Sequence, residues 1–176
     1  MSDLTLLLQI HIVSALAAIL LGAVVFLLPK GGKRHRRIAS LYVIAMFGTT
    51  GVVIWVPATV LPFGDSGWGF FHLFIVVGGV SSAVGAFALY KWRKTSDPAW
   101  LRNHQVRFAF SYAGLLMAGF SQIATNPMFG LVSAMSASTF WTIFIATNAA
   151  ILLVAMLIVN RYLMKGDPRR RYALQP

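Results

Sequence analysis

Long apolar stretches alternate with short polar breaks along the 176 residues of this chain. Five stretches are long enough to cross the hydrocarbon core of a bilayer, which takes about 20 helical residues. They run roughly over Leu4–Leu28, Arg36–Val60, Trp68–Tyr90, Asn103–Thr125 and Ser138–Tyr162. Turn-forming residues separate them: Pro62-Phe63-Gly64-Asp65-Ser66-Gly67, then Thr95-Ser96-Asp97-Pro98, then Asn126-Pro127-Met128-Phe129-Gly130. Asp97 or Ser96 is placed to cap the helix that follows. Trp55, Trp68, Trp92, Trp100 and Trp141 fall mostly near the ends of stretches, as interfacial anchors do. The pattern predicts an all-α integral membrane protein of five transmembrane helices. Residues 1–163 form one helical domain and residues 164–176 a basic tail.

Composition agrees with that expectation. The chain is 58% hydrophobic and 11% charged, where a soluble domain carries about 25% charged residues. The first apolar run follows the acidic start Met1-Ser2-Asp3. It exceeds the roughly 7–15 residues of a signal-peptide core, so it is expected to be a retained helix. There is no cysteine, which excludes thiolate-held iron–sulfur clusters and covalent c-type haem.

Charge then orients the helices. All 15 basic residues fall between the first and second stretches, between the third and fourth or just inside the fourth, or after the fifth. The opposite side carries Asp3 and Asp65 and no basic residue. By the positive-inside rule the N-terminus is outside and the C-terminus cytoplasmic, in a bacterial cytoplasmic membrane. The net charge of +11 is thus a topology signal and speaks against nucleic-acid binding. Arg169-Arg170-Arg171 is expected to meet anionic lipid head groups.

The chain also carries an internal resemblance. Lys30 stands nineteen positions after His11, and Lys91 nineteen after His72. A basic loop follows each, then a histidine at the start of the next stretch, His35 or His104. Tyr42 and Met46 follow the first, Tyr112 and Met117 the second. The two units run the same way through the membrane, so the expectation is a four-helix core built as a parallel two-helix repeat, with a fifth helix outside it.

Histidine in an apolar span suggests function. His11 and His72 would lie at similar depths near the outer face, and His35 and His104 near the inner face. Offsets of 4, 7 and 11 keep one helical stripe. From His11 they give Ala15, Ala18 and Gly22; from His72 they give Val76, Gly79 and Ala83. Stripes of small residues let helices pack closely or leave space for a flat macrocycle. Haem iron takes two axial imidazoles, so the four histidines are candidate ligands of one or two haems b. Arg36, Arg37 and Arg107, with Lys33, Arg34 and Arg102, are candidate partners for propionates at the inner pair. The outer side offers only groups such as Gln9, Ser66 and Trp68.

One histidine on each of four core helices, with alternate helices paired, resembles the two-haem cytochrome b561-type electron carriers. That resemblance covers roughly residues 4–125 and implies bis-histidine haem b and electron transfer across the membrane. Those cytochromes have a helix before and a helix after the core; here there is one after it only. The segments His35-Arg36-Arg37-Ile38-Ala39-Ser40-Leu41-Tyr42 and His104-Gln105-Val106-Arg107-Phe108-Ala109-Phe110-Ser111-Tyr112 also resemble a family of uncharacterised bacterial membrane proteins. Members of that family carry His-Arg pairs at such helix starts. The second segment has Gln105 where Arg is usual.

The leading expectation is therefore a b-type cytochrome, an electron-transfer oxidoreductase. A quinone or small reductant would dock near Tyr42, Tyr112 or Gln122, with a respiratory or redox protein as a further partner. The alternative is a non-catalytic membrane subunit, or a haem- or metal-binding assembly factor using Met46, Met117, Met128 or Met135 for a soft metal. A proton or solute pathway is disfavoured, since no carboxylate lies within a span and such relays commonly include one. Asn148, Thr142 and Thr147 read as interhelical hydrogen-bonding residues. No pattern for hydrolytic or nucleophilic catalysis is present.

Overall fold

A computed structural model describes residues 2–58, 62–125 and 129–171. The protein is all-α, with five helices: α1 (Ser2–Leu27), α2 (Lys33–Val53), α3 (Ser81–Thr95), α4 (Pro98–Thr125) and α5 (Ala137–Ile158). Four helical stretches are long and apolar enough to cross a membrane: Leu6–Leu27, Phe70–Thr95, Pro98–Thr125 and Ala137–Leu163. This is a multi-pass membrane protein.

The second expected span is the exception. Its helix begins with Lys33, Arg34, Arg36 and Arg37 and ends at Val53 rather than near Val60. The apolar part from Ile38 to Val53 rises ~24 Å at ~1.5 Å per residue, short of the ~30 Å hydrocarbon core. Pro57 stops the helix, because the residue before a proline is pushed out of the helical region. Thr59 and Val60, the end of the expected span, lie outside the described residues, as do Asn126, Pro127 and Met128.

The third stretch is not one regular helix. A 3₁₀ turn at Phe70–His72 and a π-helical segment at Ile75–Val80 precede α3. The π segment inserts a residue into the helical phase. The buried face of α3 is therefore Ser81, Ser82, Gly85 and Ala88, and Ala83 is exposed. That corrects the stripe counted from His72. The stripe on α1 holds: Ala18 is fully buried, and a Cβ on Gly22 would run into the Tyr112 ring. Here the small residues serve close packing.

Contacts between neighbours set the arrangement. Along the chain, α1 packs on α2, α3 on α4 and α4 on α5, while α4 also meets α1, and α2 meets the π segment that leads into α3. In each pair, early residues of one helix face late residues of the other. Ser14 lies against Gly48 and Thr50 against Gly79, and Ser121 bonds Asn148. The first four helical stretches therefore form an up-down square, and α5 lies outside against α4. α2 and α4 are diagonal and parallel, and meet through side chains such as Tyr42 and Phe108, whose ring centroids are 6.0 Å apart.

The centre of the square is filled by Ala18, Tyr42, Met46 and Leu115. Three of its hydroxyls are linked. Tyr42 Oη lies 2.9 Å from Ser111 Oγ, and Ser111 Oγ lies 2.6 Å from Ser82 Oγ. This three-helix hydroxyl chain is buried, as polar groups without water require when they have partners.

Candidate functional site: four histidines at the two ends of the bundle

At the end away from the basic loops, two expected haem ligands bond carbonyls near the end of α2 and just beyond it. His11 on α1 donates from Nδ1 to the Thr49 carbonyl at 3.1 Å. His72 donates from Nε2 to the Val56 carbonyl at 3.2 Å, and its Nδ1 accepts from the Gly69 N–H at 3.1 Å. A neutral imidazole has one donor and one acceptor nitrogen, so these bonds assign His72 the Nε2–H tautomer and use both. The ring also packs on Trp68, with centroids 4.9 Å apart. The chain before it, at Pro62 to Gly69, is tied down by bonds from Phe63 N–H to the Trp68 carbonyl and from Ala58 N–H to the Gly67 carbonyl.

An outer haem does not fit these residues. Neither nitrogen of His72 faces an iron as the ring stands, and each outer histidine is bonded to a different stretch of the chain, at Thr49 and Val56. Axial ligands commonly donate one N–H to a carbonyl and bind metal through the other nitrogen. His11 follows half of that pattern; His72 does not.

At the basic end, His35 lies in the first turn of α2 and His104 in the second turn of α4. His35 bonds the Val25 carbonyl near the end of α1. His104 donates from Nδ1 to the Gly85 carbonyl on α3 at 3.0 Å. Both therefore tie an even helix to the odd helix before it. Burial, and then the nearby Lys30 ammonium, lower the pKa of His35 below the ordinary imidazole value, while the Val25 bond raises it. Burial also lowers the pKa of Lys30, whose Nζ donates to the Val25 and Phe26 carbonyls at 2.6 and 2.8 Å.

The space between the inner histidines and the bundle centre is occupied by aromatic rings. Phe108 packs on His104 at 4.8 Å and on Tyr42 at 6.0 Å between centroids. Tyr112 packs on Tyr42 at 6.4 Å and donates its hydroxyl to the Ile19 carbonyl at 3.2 Å. A porphyrin bound there would have to displace these rings. Arg36 and Arg37 are exposed and border a shallow groove with Ser40 and Leu41. Arg107 donates from Nε to Asn103 Oδ1 at 3.2 Å.

The other expected groups fall in ordinary roles. Met46 is buried in the centre, Met135 packs on the Phe140–Phe144 cluster, and Met128 lies outside the described residues. No group of three or more metal-binding side chains occurs among the described residues. Asn148 bonds Ser121 and the Phe144 carbonyl, as an interhelical tie should.

Two features were not expected from the sequence. One is the hydroxyl chain of Ser82, Ser111 and Tyr42; serines are common in membrane helices and signal little alone. The other is a clasp at the basic end. Arg102 Nη2 donates to the Gly166 carbonyl at 2.8 Å and Gln105 Nε2 to the Pro168 carbonyl at 3.1 Å. Arg169 Nη2 donates to the Ser96 carbonyl at 3.1 Å. The start of the tail thus folds back over the beginning of α4. Gln105, the residue after His104, is one of its holders.

Comparison with known proteins gives no relative: no family model, no curated protein and no solved structure matches the chain.

Proposed function

We propose that this protein is a non-catalytic component of a bacterial cytoplasmic membrane, a subunit or assembly factor, whose four histidines fasten its helices together. The observation that carries this reading is that every imidazole bonds a backbone carbonyl of a neighbouring stretch. Hydrocarbon offers no water to satisfy such carbonyls, which gives the histidines a structural reason to be where they are. The wide apolar faces of α1 and α5, with Ile12, Val13, Leu16, Leu20, Ile145 and Leu157 exposed, suit lipid or other membrane helices.

In this reading α2 is the fifth span, shortened by its basic first turn and packed along α1. The two hairpins form a parallel repeat. Support comes from paired details: Lys30 sits over Phe26 at 5.7 Å and Lys91 over Phe87 at 5.9 Å, each four residues on. The bonds of His35 and His104 to the preceding helix repeat in the same way. The N-terminus is outside and the basic end cytoplasmic.

A second reading keeps one-electron transfer, with a single haem b between His35 and His104. It is favoured by the presence of both histidines at the basic end of the bundle, with Arg36, Arg37 and Arg107 on the same two helices, and it requires Phe108 and Tyr42 to move. The test is purification from haem-replete cells in mild detergent, with oxidised and reduced spectra and a pyridine haemochrome assay. The structural reading expects no stoichiometric Soret band and a native size larger than one chain. One haem per chain, lost in His104→Ala and kept in His72→Gln, supports the second reading instead.

A further inference from the structure

Beside the clasp, α4 and the chain that leaves α5 border a groove of about 420 Å³, lined by Pro98, Ala99, Arg102, Asn103, Val106 and Met164. Its position and its lining differ from those of the groove at Arg36 and Arg37. That groove is bordered by residues of α2 alone, whereas this one lies between two elements. It also has a cation fixed in place, since the Arg102 guanidinium is anchored through Nη2 to the Gly166 carbonyl. The Arg102 Nε–H is buried with no hydrogen-bond partner among the described residues, and an unmet buried donor is costly.

Asn103 is oriented by its neighbour. Its Oδ1 accepts from Arg107, so the amide's other end, an NH₂ donor, is the part left to meet a ligand. The Val106 and Met164 side chains supply an apolar wall, and Met164 is about half exposed. The nearby carboxylates already have donors: Asp97 Oδ1 accepts from the Ala99 N–H and Asp167 Oδ1 from the Arg169 N–H. Over residues 91–107 and 161–171 there are ten basic and two acidic residues.

We propose that this groove is a site for an anionic phospholipid, whose phosphate lies against Arg102 and Asn103 while the upper acyl chain lies along Val106 and Met164. Basic pockets between membrane helices at the cytoplasmic side recognise such head groups. The combination of a held guanidinium, amide donors and an apolar wall at one end of the bundle matches an amphiphile better than a free anion. The site is independent of whether any haem is bound. It also gives the clasp a purpose, because bound lipid would meet the residue that holds the tail.

The full-length protein, delipidated in detergent, is titrated with phosphatidylglycerol, phosphatidylcholine or glycerol phosphate. Retained lipid is read by native mass spectrometry and stability by thermal unfolding. Phosphatidylglycerol is expected to be retained and to raise Tm by several degrees, as a ligand that binds only the folded state must. Asn103→Asp keeps an oxygen for Arg107 but presents a carboxylate to the phosphate. Met164→Trp fills the groove. Each is expected to weaken phosphatidylglycerol binding about tenfold, a loss of about 1.4 kcal/mol, with the lipid-free Tm unchanged. Arg36→Gln/Arg37→Gln is expected to keep it. Equal retention of phosphatidylcholine, an equal shift from glycerol phosphate, or undiminished binding by both groove variants overturns the proposal. Because neither groove variant removes the Arg102 anchor, a folding defect in Arg102→Gln leaves the test intact.

Discussion

The two ends of the bundle use the same residue type in different ways. At the far end, His11 bonds a carbonyl in the last turns of α2 and His72 one just beyond the helix, and the bonds of His72 fix its tautomer. At the basic end, His35 and His104 also tie neighbouring helices, but Lys30 shares the Val25 carbonyl with His35 and the tail folds back over the start of α4. The difference teaches that a histidine near a membrane helix end answers first to backbone carbonyls.

The largest expected effect lies at the far end. His72→Ala removes two bonds and leaves the Val56 carbonyl and the Gly69 N–H without them. A cost of about 2–3 kcal/mol is expected, measured by unfolding in mixed micelles. His104→Ala, which loses the bond to the Gly85 carbonyl, is expected to cost less; the reverse order would break the comparison. Between the two ends, Ser111→Ala interrupts the hydroxyl chain from Tyr42 to Ser82. It is expected to cost about 1–2 kcal/mol, near the upper range for hydrogen bonds between membrane helices. At the basic end, Asp97→Ala removes the cap on the Ala99 N–H and is expected to cost about 1 kcal/mol.

The smallest effect is linked to pH. The folded protein holds the pKa of His35 below its ordinary value, first through burial and then through Lys30. The unfolded chain titrates near pH ~6.5, so below that point it binds more protons than the folded one. Stability is therefore full above pH ~6.5 and declines as pH falls towards the lowered value. His35→Gln should reduce that decline in thermal unfolding at stepped pH; an unchanged slope would contradict the assignment to His35.

Much of the architecture could be read from the alternation of apolar runs and breaks. The first, fourth and fifth stretches became α1, α4 and α5 within a few residues. Asp97 caps α4, with Pro98 at its first position, where a proline needs no N–H partner. Two departures have physical causes. α2 ends early because Pro57 follows, and the π segment at Ile75–Val80 rotates the face counted from His72. The histidines themselves stood out by type and position. Their partners did not, because a backbone carbonyl leaves no mark in a sequence; Thr49, Val56, Val25 and Gly85 are recruited for their main chain alone. The clasp was equally hidden, since it joins Arg102 and Gln105 to carbonyls more than sixty positions away.

The central claim is that the four imidazoles fasten helices instead of ligating two haems. The most direct measurement is the number of haems per chain, by pyridine haemochrome assay on protein purified from haem-replete cells. The account predicts no stoichiometric haem. Two haems per chain, with one lost in His72→Gln, would contradict it.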